Sequence, residues 1–146
     1  MIPELVDIKG AWKVLPPGVH DATLKEVEEC FAYNDRRRRL YEGLTKGLAS
    51  LRTAGCRIVF IDGSYVSGKP FPGDFDACWD PCGVDATKLD PVLLDFSQAR
   101  RGQKEVYGGE FFPSSACADG VHSFVAFFQV DRHTGGEKGI IRIRLQ

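Results

Sequence analysis

Two aspartates stand one residue apart at the end of the run GSYVSGKPFPGDFD, which begins with a Gly-Ser pair. Asp74 and Asp76 lie in the alternating segment DFDACWD, so their side chains would project to the same side of a strand. Two like charges so close repel each other unless a cation lies between them, and Mg²⁺ prefers such oxygen ligands. Gly63 and Ser64 would offer peptide N–H groups and a hydroxyl to a phosphate oxygen. The spacing therefore predicts a phosphate site and a metal site that converge.

Each half of this pattern also has a plainer explanation. Gly-Ser and Asp-x-Asp are both common by chance, and an edge strand often carries alternate charges that keep it soluble. The two halves together, placed after an expected buried strand, are more specific than either alone.

The elements expected around these residues form an α+β domain. A capping box at Thr23 and Glu26 predicts a helix start, and the stripe Leu40, Leu44, Leu48 and Leu51 predicts a second, amphipathic helix that Gly55 ends. Helices are expected over residues 24–31, 36–53 and 90–107. Strands are expected over residues 56–62, 74–80, 110–114, 123–131 and 140–145, the last two forming a hairpin.

These elements predict one domain over residues 1–146, with a mixed sheet of about five strands and helices packed on it. Residues 1–22 contain three prolines and no sustained period, which predicts an extended arm laid over the core.

Composition limits the function classes. The chain has 19 Lys and Arg against 20 Asp and Glu, so its net charge of -1 gives no general attraction to nucleic acid or to a membrane. No apolar stretch approaches the ~20 residues that span a bilayer, and the first residues lack a signal-peptide core. Five cysteines are an odd number and suit reduced thiols better than a disulfide framework. We therefore expect a cytoplasmic protein.

The run from residue 63 to residue 76 resembles the signature of the polymerase-β-like nucleotidyltransferase superfamily. That signature has Gly-Ser, a glycine four residues on and then Asp-x-Asp on the next strand. The matching residues are Gly63, Ser64, Gly68, Asp74 and Asp76. The resemblance covers about residues 36–115. More loosely, the whole chain looks like a poorly characterised bacterial branch of minimal nucleotidyltransferase-fold proteins, some of which work beside toxin–antitoxin or phage-defence partners.

The resemblance implies transfer of a nucleoside monophosphate from an NTP to a hydroxyl acceptor, which would be RNA, a protein or a small molecule. In such enzymes the Gly-Ser turn grips the terminal phosphates, and Mg²⁺ or Mn²⁺ ions held by three carboxylates stabilise the attacking and leaving oxygens. Asp74 and Asp76 would supply two of the three carboxylates. A chain this short also implies that a second copy or another subunit completes the acceptor site.

The third carboxylate has two candidates. Glu110 heads the expected strand 110–114, which follows the expected helix 90–107. The family places its third carboxylate on the strand after the corresponding helix, so Glu110 is slightly favoured. Asp131 ends the expected strand 123–131 and competes if that strand lies beside the Asp74 strand. Each also has a plain explanation, as a solvated carboxylate at a strand start and as a turn-forming aspartate.

Cations near the motif are weaker candidates. Lys69, between the two halves of the motif, could neutralise a β- or γ-phosphate, although most loop lysines have no such role. Arg36 to Arg39 stand at the positive end of a helix, which is unfavourable for stability and favours a patch for nucleotide or RNA phosphates. The alternative to an enzyme is a catalytically silent nucleotide- or RNA-binding module, or one half of a toxin–antitoxin pair.

Overall fold

In the computed structural model, which describes residues 1–114, 129 and 134–145, three α-helices accompany one mixed sheet. The helices are α1 (Leu24–Phe31), α2 (Asp35–Thr53) and α3 (Ser97–Tyr107). The strands are β1 (Val19–Asp21), β2 (Ile58–Asp62), β3 (Phe75–Trp79), β4 (Gly109–Pro113) and β5 (Ile140–Arg144). This confirms the predicted α+β class and the five-stranded mixed sheet.

The starts of α1 and α2 follow from local capping chemistry. Thr23 Oγ1 accepts a hydrogen bond from the amide of Glu26, at 3.1 Å, and Glu26 Oε1 accepts one from the amide of Thr23, at 3.2 Å. Asn34 caps α2 in the same way, because its Oδ1 accepts from the amide of Arg37 at 2.9 Å. The predicted capping box and both helix starts are therefore confirmed.

The strand order of the sheet is β1-β5-β2-β3-β4. β2 is antiparallel to both β3 and β5, whereas β3 is parallel to β4, so a crossover connection that contains α3 joins those two strands. The arm prediction was wrong at one point, because residues 19–21 form β1 and pair in parallel with β5. Apart from residue 129, the predicted strand 123–131 lies outside the described residues.

One face of the sheet packs against the helices. Its buried side chains are Val59, Ile61, Phe75, Ala77, Phe111, Ile141 and Ile143, and they join the core that includes the leucine stripe of α2. Two glycines of α2 allow a close crossing: a Cβ at Gly43 would lie 1.7 Å from the carbonyl oxygen of Tyr107, and one at Gly47 would lie 2.2 Å from the Phe111 ring. Because strand side chains alternate, Asp62, Asp76 and Glu110 project from the opposite face.

The predicted helix over residues 90–107 is not continuous. A 3₁₀ turn, Pro91–Leu94, comes first, and Asp95 Oδ1 then accepts from the amide of Ser97, at 3.0 Å, at the start of α3. Residues 98–100 follow with φ between 50° and 61°, a left-handed turn that precedes the regular part of α3. Gly108, with φ +84°, caps the end of α3, so the predicted helix end at residue 107 is confirmed.

No helix in the described ranges is long and apolar enough to cross a lipid bilayer.

Candidate functional site

Three carboxylates stand side by side on adjacent strands. Asp62 on β2 pairs in register with Asp76 on β3, and Asp76 pairs with Glu110 on β4. Residues directly opposite each other in a sheet project to the same face with Cβ atoms about 5 Å apart. Asp62, Asp76 and Glu110 therefore form a row, which we call the carboxylate row, on the face away from α2. Asp74 immediately precedes β3 and adds a fourth acid at its end.

The electrostatics of the row centre on Asp76. Burial raises its pKa to about 8, and the negative charges of Asp74, Asp62 and Glu110 contribute in the same direction. Lys138 opposes the shift, but its effect is smaller. A carboxylate whose ionisation is disfavoured by three neighbouring acids gains from a bound cation, because the cation removes the repulsion that holds its proton.

The Gly-Ser turn touches this carboxylate. Gly63 directly follows Asp62 at the end of β2, and its φ of +81° suits glycine far better than any other residue. A Cβ at position 63 would lie 2.4 Å from Asp76 Oδ2. The chain then enters a 3₁₀ turn, Ser64–Val66. The turn that was expected to hold phosphate and the carboxylate that was expected to hold metal thus lie in contact.

Three cations act on Asp74, at the end of the carboxylate row. Burial raises the pKa of Asp74 and Glu110 adds to that shift, whereas Lys104, Lys69 and Arg36 lower it. Lys104 and Lys69 therefore lie close enough for their charges to act on Asp74, where they would also attract a phosphate. Lys69 Nζ lies 4.9 Å from the centre of the Trp12 ring, so the N-terminal arm contacts this loop lysine.

Glu110, the favoured candidate for the third carboxylate, lies beside Asp76 in the sheet, but two cations of α3 already face it. Lys104 Nζ lies 2.8 Å from its Oε1, and Arg100 Nε lies 3.2 Å from its Oε2. The left-handed turn that includes Arg100 sets the position of that side chain. The competing candidate, Asp131, lies outside the described residues.

Sequence reasoning missed Lys138 as part of the site. Its Nζ lies 3.4 Å from Asp62 Oδ1, and the Asp62 side chain is only 3% exposed. Lys138 stands in the polar segment GEKG, which looks like an ordinary turn. No local signal in the sequence could have found it, because its position is set by the antiparallel register of β2 with β5. Ile61 pairs with Ile141 in that register, so the residues before β5 lie beside the end of β2.

The four arginines at the start of α2 have two different environments. Arg37 is fully buried, and Arg36 Nε donates to the carbonyl oxygen of Pro72 at 3.0 Å. Arg38 instead forms an exposed ion pair with Asp35, and Arg39 is exposed. The first two arginines therefore bind the loop that carries the motif, which explains their unfavourable position on the helix, and only the last two face solvent.

The site has the donor chemistry for a hard divalent cation without a complete protein cage. Within residues 1–114, 129 and 134–145, no group of three or more His, Cys, Asp or Glu side chains is arranged to hold a metal ion. Mg²⁺ often binds through one or two carboxylates, water and substrate phosphates instead. Asp74 and Asp76 beside the Gly63–Ser64 turn fit that second mode.

Comparison with known proteins places the chain in a family without assigning it an activity. No curated protein and no solved structure is detectably similar to it. The family model described as "Family of unknown function (DUF6932)" matches residues 8–144, and the chain therefore belongs to that family.

Proposed function

We propose that this protein is a metal-dependent nucleotidyltransferase, which moves a nucleoside monophosphate from an NTP to a hydroxyl of RNA, a protein or a small molecule. The observation that carries the proposal is the contact between Gly63 and Asp76, since it brings the phosphate-binding turn and the metal-binding carboxylate to one place. Asp74, next to that contact, supplies the second carboxylate. Four described cysteines are free thiols, which supports a cytoplasmic location.

Each residue of the site has a role in this proposal. Asp74 and Asp76 would hold Mg²⁺ or Mn²⁺, which supplies positive charge to the phosphoryl oxygens when it is bound. Ser64, partly exposed at the start of its 3₁₀ turn, would donate its hydroxyl and amide to the terminal phosphates of the NTP. Lys69 and Lys104 would add positive charge on the Asp74 side, because their charges lower the pKa of Asp74.

A second candidate function is a catalytically silent nucleotide-binding module, and the ion pairs of Glu110 favour it. Both of its carboxylate oxygens face cations of the protein itself. A carboxylate neutralised in this way is a poorer metal ligand, since a metal ion would have to compete with Arg100 and Lys104 for it. A fold of this kind with two metal-binding carboxylates would bind a nucleotide without transferring it.

The experiment that tests the proposal measures transfer and binding in parallel. The purified protein is incubated with Mg²⁺ and each α-³²P-labelled NTP, with cellular RNA and lysate proteins as acceptors. The variants are Asp74→Asn and Asp76→Asn. Asp85→Asn is the matched control, because Asp85 is an exposed aspartate whose side chain caps its own 3₁₀ turn.

Label transfer that is lost in both site variants and kept in Asp85→Asn supports the enzyme. Transfer that persists in Asp76→Asn contradicts the assignment of the site. Nucleotide binding by the wild-type protein, without transfer from any of the four donors, supports the silent module.

A further inference from the structure

Arg37 has an unusual environment for a charged side chain. It is 0% exposed, and no carboxylate forms an ion pair with it in the described part of the chain. Burial accordingly lowers its pKa, although an arginine remains charged in a protein. Its guanidinium donates to main-chain carbonyl oxygens, those of Phe31 at 2.9 Å, Tyr65 at 2.7 Å, Ser67 at 2.7 Å and Lys69 at 2.6 Å.

Three of these four acceptors belong to the loop that joins the two halves of the motif. A buried cation is tolerated when most of its donors are satisfied. Nη1 and Nη2 donate to these carbonyl oxygens, whereas Nε has no hydrogen-bond partner among the described residues. The guanidinium presents its donors in a rigid planar fork. The fork therefore fixes the directions of the carbonyl groups that it binds. Neighbouring residues extend this hold: Arg36 Nε donates to Pro72, and Asn34 Nδ2 donates to the carbonyl oxygen of Pro70 at 2.8 Å.

The amides of the same loop are used within the protein. The amide of Val66 donates to Gly63 O and that of Ser67 to Ser64 O, both at 3.3 Å. The amide of Gly68 donates to Lys13 O at 2.8 Å, and that of Lys69 to Ser67 Oγ at 3.2 Å. A phosphate entering the site would therefore meet the Gly63–Ser64 end of the loop and not its middle. The orientation of that end depends on Tyr65 and Ser67, whose carbonyls the guanidinium holds.

We propose that Arg37 is a positioning residue, whose buried guanidinium fixes the loop over residues 63–73 in the conformation that receives the triphosphate. The inference rests on the proposed function for the identity of the ligand. A merely structural arginine is the competing explanation, because Arg37 also packs over Tyr33 and Tyr65, with 4.8 and 5.4 Å from Cζ to the ring centres. The two explanations differ in whether loss of the fork acts locally on the loop or on the whole fold.

The test compares Arg37→Met and Arg37→Lys with Arg38→Met and Arg38→Lys. Lysine keeps the charge but lacks the fork, so Arg37→Lys serves if Arg37→Met does not fold. Arg38 is the matched control, because it is the next residue on the same helix and its guanidinium forms an exposed ion pair with Asp35. Hydrogen exchange is measured for peptides that cover residues 63–73 and 140–145, the second set reporting on β5. Affinity for Mg²⁺ with inorganic tripolyphosphate, a probe that needs no base preference, is measured by calorimetry.

We expect amides of residues 63–73 to exchange about tenfold faster or more in both Arg37 variants, with β5 unchanged, and tripolyphosphate to bind about tenfold more weakly. The Arg38 variants should match the wild type in both measurements. Unchanged exchange in the loop, an equal increase in β5, or unchanged affinity would overturn the inference.

The failure of the proposed function gives a different result. If the wild-type protein binds neither tripolyphosphate nor any NTP, the proposed function and the ligand assigned to this loop both fall. The exchange measurement still decides whether the Arg37 fork orders the loop, since that readout requires no ligand.

Discussion

Gly63 lies directly against the carboxylate of Asp76. A Cβ at position 63 would lie 2.4 Å from Asp76 Oδ2, and the backbone at this residue has a φ of +81°. The short contact excludes a larger side chain unless Asp76 moves. The positive φ disfavours any residue other than glycine. The glycine of the motif is therefore needed on geometric grounds, independently of any ligand that the turn receives.

The first prediction concerns Gly63→Ala. We expect the free energy of unfolding to fall by about 2–4 kcal/mol, because the variant combines an unfavourable φ with overpacking against Asp76. Two controls separate these causes in urea unfolding. Gly18→Ala has a positive φ of +116° but open space around it, and should cost about 1 kcal/mol. Gly73→Ala has open space and no positive φ, and should have little effect. Equal losses for Gly63→Ala and Gly18→Ala would contradict the contact with Asp76.

The second prediction concerns the pH dependence of stability. The folded protein keeps the proton of Asp76 up to about pH 8, whereas the unfolded chain loses it near pH 4. Since the folded state binds more protons in this window, the contribution of Asp76 to the free energy of unfolding decreases as the pH rises from about 4 to about 8. The side chain of Asp76→Asn cannot ionise, so the stability of this variant relative to the wild type should increase as the pH rises through that window.

Urea unfolding at pH 4.5, 6 and 8 without divalent cations measures this difference. We expect the variant to be more stable than the wild type by a few kcal/mol, on the order of 2–4, at pH 8 and close to it at pH 4.5. The control Asp85→Asn should leave the slope between pH 5 and 8 unchanged, because hydrogen bonds from Thr87 lower the pKa of Asp85. A constant difference between Asp76→Asn and wild type across the range would show that Asp76 ionises normally.

The third prediction concerns stabilisation by ligands. If Asp74 and Asp76 share a divalent cation with a triphosphate, Mg²⁺ and a non-hydrolysable NTP analogue together should raise the melting temperature more than the two separate effects combined. At a ligand concentration 100 times the dissociation constant the gain is about 2.7 kcal/mol. Differential scanning fluorimetry at pH 8 measures it, with Asp76→Asn expected to lose the joint effect and Asp85→Asn to keep it. Additive shifts would argue against a shared site.

Local signals in the sequence predicted most of the fold. The capping residues of α1 and the leucine stripe of α2 act over three or four positions, so a single sequence contains them in full. β1 was missed because it is only three residues long and its pairing depends on β5, more than a hundred positions away. The break between Pro91–Leu94 and α3 was missed because it depends on backbone conformation that no residue type there signals.

The candidate site was predictable to a smaller extent. The spacing of Asp74 and Asp76 predicted that both side chains project to the same side of a strand, and the order of the elements along the chain made Glu110 a candidate. The register that places Glu110 beside Asp76, and Lys138 beside Asp62, is set by strand pairing and leaves no trace in either segment. The arginine run showed that cations stand at the unfavourable end of the helix dipole, but not why. The reason is that Arg37 binds main-chain carbonyl oxygens about 30 residues further along the chain.

The fourth prediction concerns the crossing of α2 over the end of α3. Gly43→Ala should gain about 1 kcal/mol in helix propensity, but its Cβ would lie 1.7 Å from the carbonyl oxygen of Tyr107, a main-chain atom that cannot rotate away. The helices must then separate, and we expect a net loss of about 2 kcal/mol or more in urea unfolding. Lys46→Ala, an exposed position of the same helix, should stay within about 0.5 kcal/mol of the wild type. A stabilised Gly43→Ala would contradict the close crossing.

The last prediction compares a buried ion pair with an exposed one. Lys138 faces Asp62 at 3.4 Å with side chains only 16% and 3% exposed, whereas Arg101 faces Glu105 at 2.9 Å with both side chains more than 60% exposed. Removing one partner of a buried pair destabilises strongly, because the remaining charge has lost a compensating ion, while an exposed pair contributes little. Lys138→Met should therefore lower the free energy of unfolding by about 2–3 kcal/mol at pH 7, and Arg101→Met by at most about 0.5.

A double-mutant cycle that adds Asp62→Asn separates this interaction from other effects of the lysine. Asp62→Asn alone should lose stability, and Lys138→Met should cost much less in its presence than in the wild type, because the charge that the lysine compensates is gone. If the lysine costs the same in both backgrounds, its contribution comes from packing of its aliphatic chain and not from the charge of Asp62. The carboxylate row would then be held by the sheet register alone, and Lys138 would have no part in setting the charge of the site.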